Sequence, residues 1–240
     1  MLKTFILIVS HKSSDLISDQ RKHILDNIND DFIFYYFIGD PNLDSAYKID
    51  KDNNIVYLKV EDDYISLSKK VYYAIKFIND NYSDSINGIF KTDDDVFLNF
   101  KKLSKCIKEN INSKYFGQLC SIPNDQFKTT IRNKYCNVDD ITLDKCEYCS
   151  GYGYYISKET IPFIIENKES YDISYFEDVC TGIVLNKYGI FPKEVDVKSK
   201  GAYISFAMPE RHKSYYKWCF CGEIKFIDKY KRCPKCDARY

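Results

Sequence analysis

The chain reads Ile86-Asn87-Gly88-Ile89-Phe90-Lys91-Thr92-Asp93-Asp94-Asp95, an apolar stretch followed at once by three adjacent carboxylates. Placing three carboxylates at the end of an apolar strand is costly unless a cation is present, because like charges repel and burial disfavours the ionised form. Asp93 and Asp95, two residues apart in an extended chain, project to the same side. Ligands of open α/β sheets bind at the carboxyl ends of strands. The stretch therefore predicts a buried strand with a site at its end, and a solvated acidic turn is the alternative.

Similar apolar runs of strand length lie upstream of this stretch, and segments with helical spacing separate them. The pattern predicts strands at 5–9, 32–38 and 55–59, and helices at 15–28, 66–79, 103–111, around 158–167 and through 185. The apolar runs are too continuous for a sheet with one wet face, so we expect an α/β domain with a covered sheet. The second half is more irregular, and the chain contains no internal repeat.

Composition and charge limit the function classes. Lys+Arg and Asp+Glu both number 35 in 240 residues, so the chain lacks the basic excess of proteins whose main task is to hold a nucleic-acid backbone. The apolar run at 5–9 is short and is followed by a poor cleavage site, so a buried first strand is favoured over a signal peptide. No stretch is long enough to cross a membrane. We therefore expect a reducing, cytoplasmic location, where the ten Cys indicate metal binding or packing.

Four blocks of sequence resemble, in order, motifs of one known family. Residues 92–97, Thr-Asp-Asp-Asp-Val-Phe, resemble the metal-site motif of the β-1,3-galactosyltransferase-like family, which includes the β-1,3-N-acetylglucosaminyltransferases and the Fringe enzymes. Residues 61–70 are similar to its D-x-Y-x-N-L-T-x-K segment and residues 148–154 to its Y-C-x-G-x-G-Y acceptor-side segment. Residues 177–182 match its E-D-V-x-x-G motif. One block is weak support, whereas four in order are strong.

The resemblance implies a GT-A (nucleotide-diphospho-sugar transferase) fold, with a mixed central sheet flanked by helices, over residues 1–214. It also implies inverting transfer of a hexose or N-acetylhexosamine from a UDP-sugar to a hydroxyl of a glycan or glycoprotein, with a β-1,3 linkage. Mn²⁺ or Mg²⁺ is the expected metal, since hard cations prefer oxygen ligands and bridge to phosphates. By position, Asp95 would ligate the metal, while Asp93 would contact the ribose or the metal's water shell. Asp94 would support this donor-binding cluster.

Asp178 is the general base that the resemblance implies. Inverting transfer needs a base within hydrogen-bond reach of the acceptor hydroxyl, opposite the leaving diphosphate. Glu177 would orient Asp178 or contact the acceptor. For both residues an ordinary helix N-terminus, where acids suit the dipole, is the alternative.

Glycines and histidines complete the predicted site. Gly151 and Gly153, interleaved with tyrosines, fit a segment where the backbone approaches the sugar or the diphosphate, although a bulge or a tight turn explains them equally well. His11 follows the first strand, where the nucleotide base or ribose would bind. His212 is the late histidine that the resemblance assigns to the metal, and a simply exposed histidine is its alternative.

The C-terminal segment 215–240 falls outside the resemblance and predicts a zinc-ribbon-like hairpin. A C-x-C and a C-x-x-C knuckle lie eleven residues apart and would give a closed structural Zn²⁺ site. Its four thiolates are Cys219, Cys221, Cys233 and Cys236. A second zinc site is conceivable from Cys146 and Cys149 with Cys120 or Cys136, but packed thiols explain these cysteines more simply.

Two other functions remain open from the sequence. The first is an inactive, transferase-like binding protein that recognises a partner through the zinc ribbon. The second is a transferase of the same fold that retains the anomeric configuration. Intact Asp93, Asp95 and Asp178 favour an enzyme over the binding protein, and the E-D-V-x-x-G block at 177–182 speaks against retention.

Overall fold

The computed structural model of the protein describes residues 2–132, 137–173, 175–196 and 204–206. Twelve strands are formed in this part of the chain: β1 Lys3–Val9, β2 Phe32–Gly39, β3 Tyr47–Asp50, β4 Ile55–Leu58, β5 Ile86–Asp93, β6 Val96–Leu98, β7 Tyr115–Ile122, β8 Phe127–Arg132, β9 Asn137–Leu143, β10 Cys146–Ser157, β11 Lys193–Glu194 and β12 Ile204–Phe206. The α-helices of the described residues are α1 Ile17–Asn27, α2 Leu67–Tyr82, α3 Phe100–Glu109, α4 Ile161–Glu166, α5 Lys168–Ile173 and α6 Glu177–Lys187. Short 3₁₀ turns lie at Ser83–Ser85 and Lys158–Thr160.

The central sheet has eight strands in the order β11-β7-β10-β5-β1-β2-β4-β3. β1 pairs in parallel with β2 and β5, whereas β10 runs antiparallel to both β5 and β7. The sheet is therefore mixed, and the predicted α/β class with a mixed central sheet flanked by helices is confirmed. The carboxyl ends of β1, β2 and β5 meet at one edge, which is where the acidic triplet lies.

Two apolar layers cover the sheet. On one face, side chains of α2, α4, α5 and α6 pack against alternate residues of the strands, such as Phe5, Leu7 and Ile89. On the other face, α1 and α3 pack against the opposite residues, such as Ile6 and Phe90. Burial on both faces explains why the strands are continuously apolar instead of alternating.

A two-stranded hairpin, β8–β9, leaves the main sheet between β7 and β10. A small apolar cluster that includes Ile131, Ile141 and Leu143 joins it to Val179 of α6. The sequence did not predict β7, β8, β9 or β10. The tail, residues 215–240, lies outside the described residues, so the predicted zinc-ribbon hairpin and the 1–214/215–240 division stay predictions.

Candidate active site

The acidic triplet lies at the carboxyl end of β5, and each of its carboxylates has a different environment. Asp93 Oδ1 is 2.7 Å from Lys91 Nζ. Asp94 Oδ2 accepts a hydrogen bond of 2.5 Å from the hydroxyl of Ser10, which directly follows β1. Asp95 receives no side-chain hydrogen bond or ion pair from the described part of the chain. Of the three, Asp95 is thus the carboxylate that remains available to a cation.

Electrostatics within the triplet support this difference. Burial, together with the charges of Asp93 and Asp94, raises the pKa of Asp95 to about 7. Burial also raises the pKa of Asp93, although the Lys91 ammonium opposes the shift. When a cation binds, it stabilises the ionised form of such a carboxylate more than that of an isolated one, because it also relieves the repulsion from the neighbouring carboxylates.

The donor set fits a divalent cation that brings further ligands with it. Oxygen ligands from one or two carboxylates plus substrate phosphates are the usual environment of Mg²⁺, and Asp95 supplies such a carboxylate. Among the described residues, no group of three His, Cys, Asp or Glu side chains is close enough to hold a metal. The remaining ligands would therefore come from the donor or from elsewhere in the chain. His212, the predicted second ligand, lies outside the described residues, although β12 passes beside the triplet, with Phe206 opposite Val96.

The predicted base, Asp178, lies in the first turn of α6 and is fixed by two backbone amides. Gly151 N–H donates to its Oδ2 at 2.9 Å, and Val179 N–H donates to its Oδ1 at 2.8 Å. Burial raises the pKa of Asp178, while Lys91 and the two amide donors oppose the shift. The structure therefore holds a carboxylate with a defined orientation and an increased proton affinity at this edge.

Gly151 is the residue that lets the backbone of β10 approach these acids. A Cβ at this position would lie 2.9 Å from Glu177 Oε1 and 3.2 Å from Asp178 Oδ2. The backbone at Gly151 thus comes close to the protein's own carboxylates, and its predicted approach to the sugar or the diphosphate stays a prediction. Gly153 is buried in the ladder opposite Thr92, and its contact with the donor stays a prediction.

Glu177 is buried, with 3% of its side chain exposed, and both of its oxygens are bound by protein groups. Oε1 is 2.5 Å from Lys91 Nζ, and Oε2 accepts a hydrogen bond of 2.8 Å from the Tyr154 hydroxyl. Burial raises the pKa of Glu177 to about 7 despite Lys91. These contacts favour the orienting role over direct contact with the acceptor.

Lys91 is the site residue that sequence reasoning missed. It is 2% exposed, and its Nζ contacts Asp93, Glu177 and the carbonyl oxygen of Gly151. One signal was present in the sequence: a lysine in the middle of a strand buried on both faces needs acceptors, and Asp93 lies on the same side two residues later.

A second buried lysine explains the D-x-Y-x-N-L-T-x-K resemblance. Lys70 Nζ is 2.6 Å from Asp62 Oδ1 and donates to the carbonyl oxygen of Ser10 at 2.9 Å. Asp62 also accepts from the backbone amides of Gly39 and Lys12, at 2.9 and 2.7 Å. The motif therefore ties the loops after β1 and β2 to the start of α2.

The histidines and cysteines have simpler roles. His11 is half-buried in the loop after β1, with its Nδ1 3.0 Å from Ser13 Oγ; its contact with the nucleotide stays a prediction. Burial raises the pKa of Cys146 to about 11 and that of Cys149 further. Both are buried, unpaired in any disulfide and packed in the interior, as the simpler of the two interpretations expects, while Cys136 lies outside the described residues.

Comparison with known proteins agrees with the geometry. A family model described as Galactosyltransferase matches residues 27–196, which include β5, β10 and the start of α6. The chain belongs to the galactosyltransferase family. This membership, and the resemblance on which the prediction rested, cover the triplet, Gly151 and Asp178 together.

Curated relatives of this galactosyltransferase-family chain include "UDP-GalNAc:beta-1,3-N-acetylgalactosaminyltransferase 1" of Sus scrofa, which is 30% identical over 127 residues. The Homo sapiens protein of the same name is 29% identical over 127 residues. Each match covers 52% of this chain and 38% of the relative, so the aligned part is well under half of those proteins.

Two solved structures have similar chain tracings. One is a glycosyltransferase involved in the glycosylation of the major capsid of PBCV-1, at a TM-score of 0.46 and 12% identity, covering 87% of this chain and 96% of that one. The other is the 2-C-methyl-D-erythritol 4-phosphate cytidylyltransferase of Thermus thermophilus, at a TM-score of 0.47 and 8% identity, covering 89% of this chain and 95% of that one. Separately, no helix within the described ranges combines the length and the apolar character needed to span a bilayer.

Proposed function

We propose that this chain is an inverting, metal-dependent glycosyltransferase that moves a hexose or N-acetylhexosamine from a UDP-sugar to a hydroxyl of a glycan or glycoprotein. The observation that carries the proposal is the meeting of two acidic groups far apart in sequence. Asp93–Asp95 at the end of β5 and Asp178 at the start of α6 are joined through Lys91 and Gly151. A metal-dependent inverting transfer uses a cation beside the leaving diphosphate and a base beside the acceptor hydroxyl, and these two acidic groups offer a candidate for each role.

On the donor side, Asp95 would hold the divalent cation together with the donor's diphosphate. The bound metal supplies neutralisation of the charge that develops on the leaving diphosphate. Asp93 would contact the ribose or the metal's water shell, Asp94 anchors the triplet to Ser10, and His11 would lie beside the nucleoside. The partly exposed Asp93 carboxylate, with 35% of its side chain accessible, is compatible with that contact.

On the acceptor side, Asp178 would take the proton of the acceptor hydroxyl. The hydroxyl oxygen forms a bond to the anomeric carbon as the bond from that carbon to the diphosphate breaks, and UDP leaves with the electron pair. A carboxyl pKa raised toward the working pH suits a general base, and burial raises the pKa of Asp178. The amides of Gly151 and Val179 fix its orientation before the acceptor binds.

The names of the relatives support a finer version of this proposal. Those proteins are named for a UDP-GalNAc donor and a β-1,3 linkage. We infer a UDP-N-acetylhexosamine or UDP-hexose donor and a β-1,3 product for this chain. We also keep the structural zinc of Cys219, Cys221, Cys233 and Cys236 as a proposal, tested by metal analysis of the purified protein, which should find about one zinc per chain.

The test is a screen of UDP-sugars with Mn²⁺, scored by UDP release. Asp178→Asn should lower kcat by about 10²–10⁴-fold, the usual contribution of a general base. Asp95→Asn should weaken Mn²⁺-dependent UDP binding. The matched control is Asp80→Asn, which changes an exposed acid paired with Lys76 on α2 and should leave turnover unchanged.

Two outcomes would count against the proposal. No turnover with any donor, together with no Mn²⁺-dependent UDP binding, would leave the inactive, partner-binding protein as the better description. Product of retained configuration would replace inversion by a retaining mechanism.

A further inference from the structure

Lys91 is a fully enclosed cation at the centre of the site. Its ammonium group has three N–H donors and no acceptor, and three oxygens surround it. These are Asp93 Oδ1 at 2.7 Å, Glu177 Oε1 at 2.5 Å and the carbonyl oxygen of Gly151 at 2.5 Å. Each donor thus has an acceptor, and the three acceptors come from β5, α6 and β10.

The charge of Lys91 is held firmly. Burial by itself lowers the pKa of a lysine, but the nearby Asp93 and Glu177 more than offset this and raise the pKa of Lys91 above its ordinary value. Lys91 therefore stays an ammonium ion at every pH at which the protein would work. It cannot act as a proton acceptor there, so any role in the reaction has to be one of position and charge.

Gly151 connects Lys91 to Asp178. Its carbonyl oxygen accepts from Lys91, and its amide nitrogen donates to Asp178 Oδ2 at 2.9 Å. The same ammonium also holds Glu177, the residue next to Asp178, and a Cβ on Gly151 would lie 2.9 Å from Glu177 Oε1. Movement of Lys91 would consequently move the backbone donor of Asp178 and the first turn of its helix together.

We propose that Lys91 is a positioning residue that sets the distance between the donor-side carboxylate Asp93 and the base Asp178. The proposal rests on the glycosyltransferase function given above and deepens it. Lys91 touches neither reacting group, because its three donors are used by protein oxygens. Its effect on the reaction passes through Gly151 and Glu177.

A merely structural role has to be separated from this one. A buried ion pair that loses one partner destabilises a protein, because the other charge is left without compensation, whereas removal of both charges is often tolerated. Lys91→Met would therefore lower stability whatever Lys91 does. Lys91→Met/Glu177→Gln removes both buried charges, keeps an acceptor for the Tyr154 hydroxyl and leaves Asp93 partly open to water. Glu177→Gln alone is the matched control, since it retains Lys91 with Asp93 and Gly151.

The experiment measures three quantities for these variants: the melting temperature, the kcat for the acceptor at saturating donor, and the hydrogen-exchange protection of the Gly151 amide. In the double variant we expect a melting temperature close to that of Glu177→Gln. We also expect kcat to be about 10²-fold below that of Glu177→Gln, the size of loss that follows a misplacement of about 1 Å. The Gly151 amide should lose protection relative to amides of the central strands.

A double variant with the kcat and the Gly151 protection of Glu177→Gln would overturn the proposal and leave Lys91 as a charge pair only. The exchange measurement needs no substrate. If the wild-type protein turned over no sugar at all, the proposed function would fail. The positioning of Gly151 by Lys91 would be rejected separately, by equal protection of the Gly151 amide in the double variant and in Glu177→Gln.

Discussion

Lys70 and Lys91 are buried to nearly the same degree, with 3% and 2% of their side chains exposed, yet they connect different parts of the molecule. Lys70 joins Asp62, eight residues before it, to the loop after β1. Lys91 joins its own strand, β5, to Gly151 of β10 and Glu177 of α6, which belong to the second half of the chain. The first lysine holds the loops on the proposed donor side, whereas the second connects the proposed donor side to the proposed acceptor side. A buried lysine can thus stabilise the loops within one half of a site, or it can fix the position of one half relative to the other.

The largest effect should come from breaking the Lys70 pair. Lys70→Met leaves the Asp62 carboxylate without its cation and should lower the free energy of unfolding by about 3–5 kcal/mol, the usual cost of removing one partner of a buried pair. Urea denaturation measures this loss in Lys70→Met and compares it with that in Lys70→Met/Asp62→Asn, which removes both charges of the pair. The single variant should also raise the KM for the donor, while protection of the Gly151 amide stays at the wild-type value. Loss of that protection in Lys70→Met would mean that the effect of Lys70 is not confined to its own side of the site.

A methyl group at Gly151 tests the Lys91 side without removing a charge. Gly151→Ala would place a Cβ within 2.9 Å of Glu177 Oε1, so the two carboxylates would have to shift. We expect kcat to fall about 10²-fold, measured as UDP release at saturating donor.

The control for this substitution is Gly117→Ala. Its Cβ would be as crowded, 3.0 Å from Cys149 Cβ and from the carbonyl oxygen of Gly153, but would touch no carboxylate. It should lower the melting temperature and leave kcat within a few-fold of the wild type. Equal losses of kcat in both variants would show that packing strain alone accounts for the effect.

Asp95 contacts neither lysine, and we expect this to show in how the stability of the protein depends on pH. Its pKa is raised to about 7 by burial and by Asp93 and Asp94. In the folded state it binds its proton more tightly than in the unfolded chain, so its contribution is most favourable below about pH 4, the ordinary pKa of an aspartate. That contribution is lost as the pH rises through the folded-state pKa.

Asp95→Asn should therefore have the same free energy of unfolding as the wild type at about pH 4. At about pH 8, in the presence of a chelator, its free energy of unfolding should be higher by on the order of 2 kcal/mol, after allowance for the partial exposure of Asp95. Thermal unfolding across this range tests the expectation. Added Mn²⁺ should narrow the gap at the higher pH, since Asp95 would bind it. Parallel stability curves would contradict the shifted pKa.

The smallest effect should come from Ser10, which connects the Lys70 side to the triplet. Ser10→Ala removes the hydroxyl that donates to Asp94. A hydrogen bond to a charged group contributes about 1.5–3 kcal/mol at most, and water can replace this partly buried one, so we expect a rise of about threefold in the KM for the donor. Ser85→Ala is the matched control, since it changes an exposed serine whose hydroxyl donates to the carbonyl oxygen of Tyr82, away from the site. An unchanged KM would mean that Asp94 does not need Ser10.

The first half of the fold could be predicted because its strands are continuous apolar runs. The predicted strand at 86–91 became Ile86–Asp93, and the predicted helix at 66–79 became Leu67–Tyr82. The helix predicted at 103–111 begins earlier, at Phe100, because the Asn99 side chain caps it by accepting from Lys102 N–H.

The second half followed weaker signals. β10 mixes Gly, Cys and Tyr, and its pairing with β7 shifts register between Cys149 and Tyr154, so no regular alternation marks it as a strand. β8 and β9 are largely exposed and bury few side chains. Lys91 was missed for a related reason, since two of its three partners, Gly151 and Glu177, come from this half and lie far from it in sequence.

The pairing of β7 with β10 has a consequence for how such a chain can change over time. Ile122 and Cys146 are neighbours across the ladder, so the chain from 123 to 145 departs from the sheet and returns to it at the same rung. Because the pairing at this rung does not depend on the hairpin's length, we expect insertions, deletions or replacement of that hairpin to leave the register of the central strands unchanged. Val179, beside Asp178, packs against the hairpin's apolar cluster. Replacement of the β8–β9 hairpin during evolution could therefore alter the surroundings of Asp178 while the rest of the domain stays unchanged.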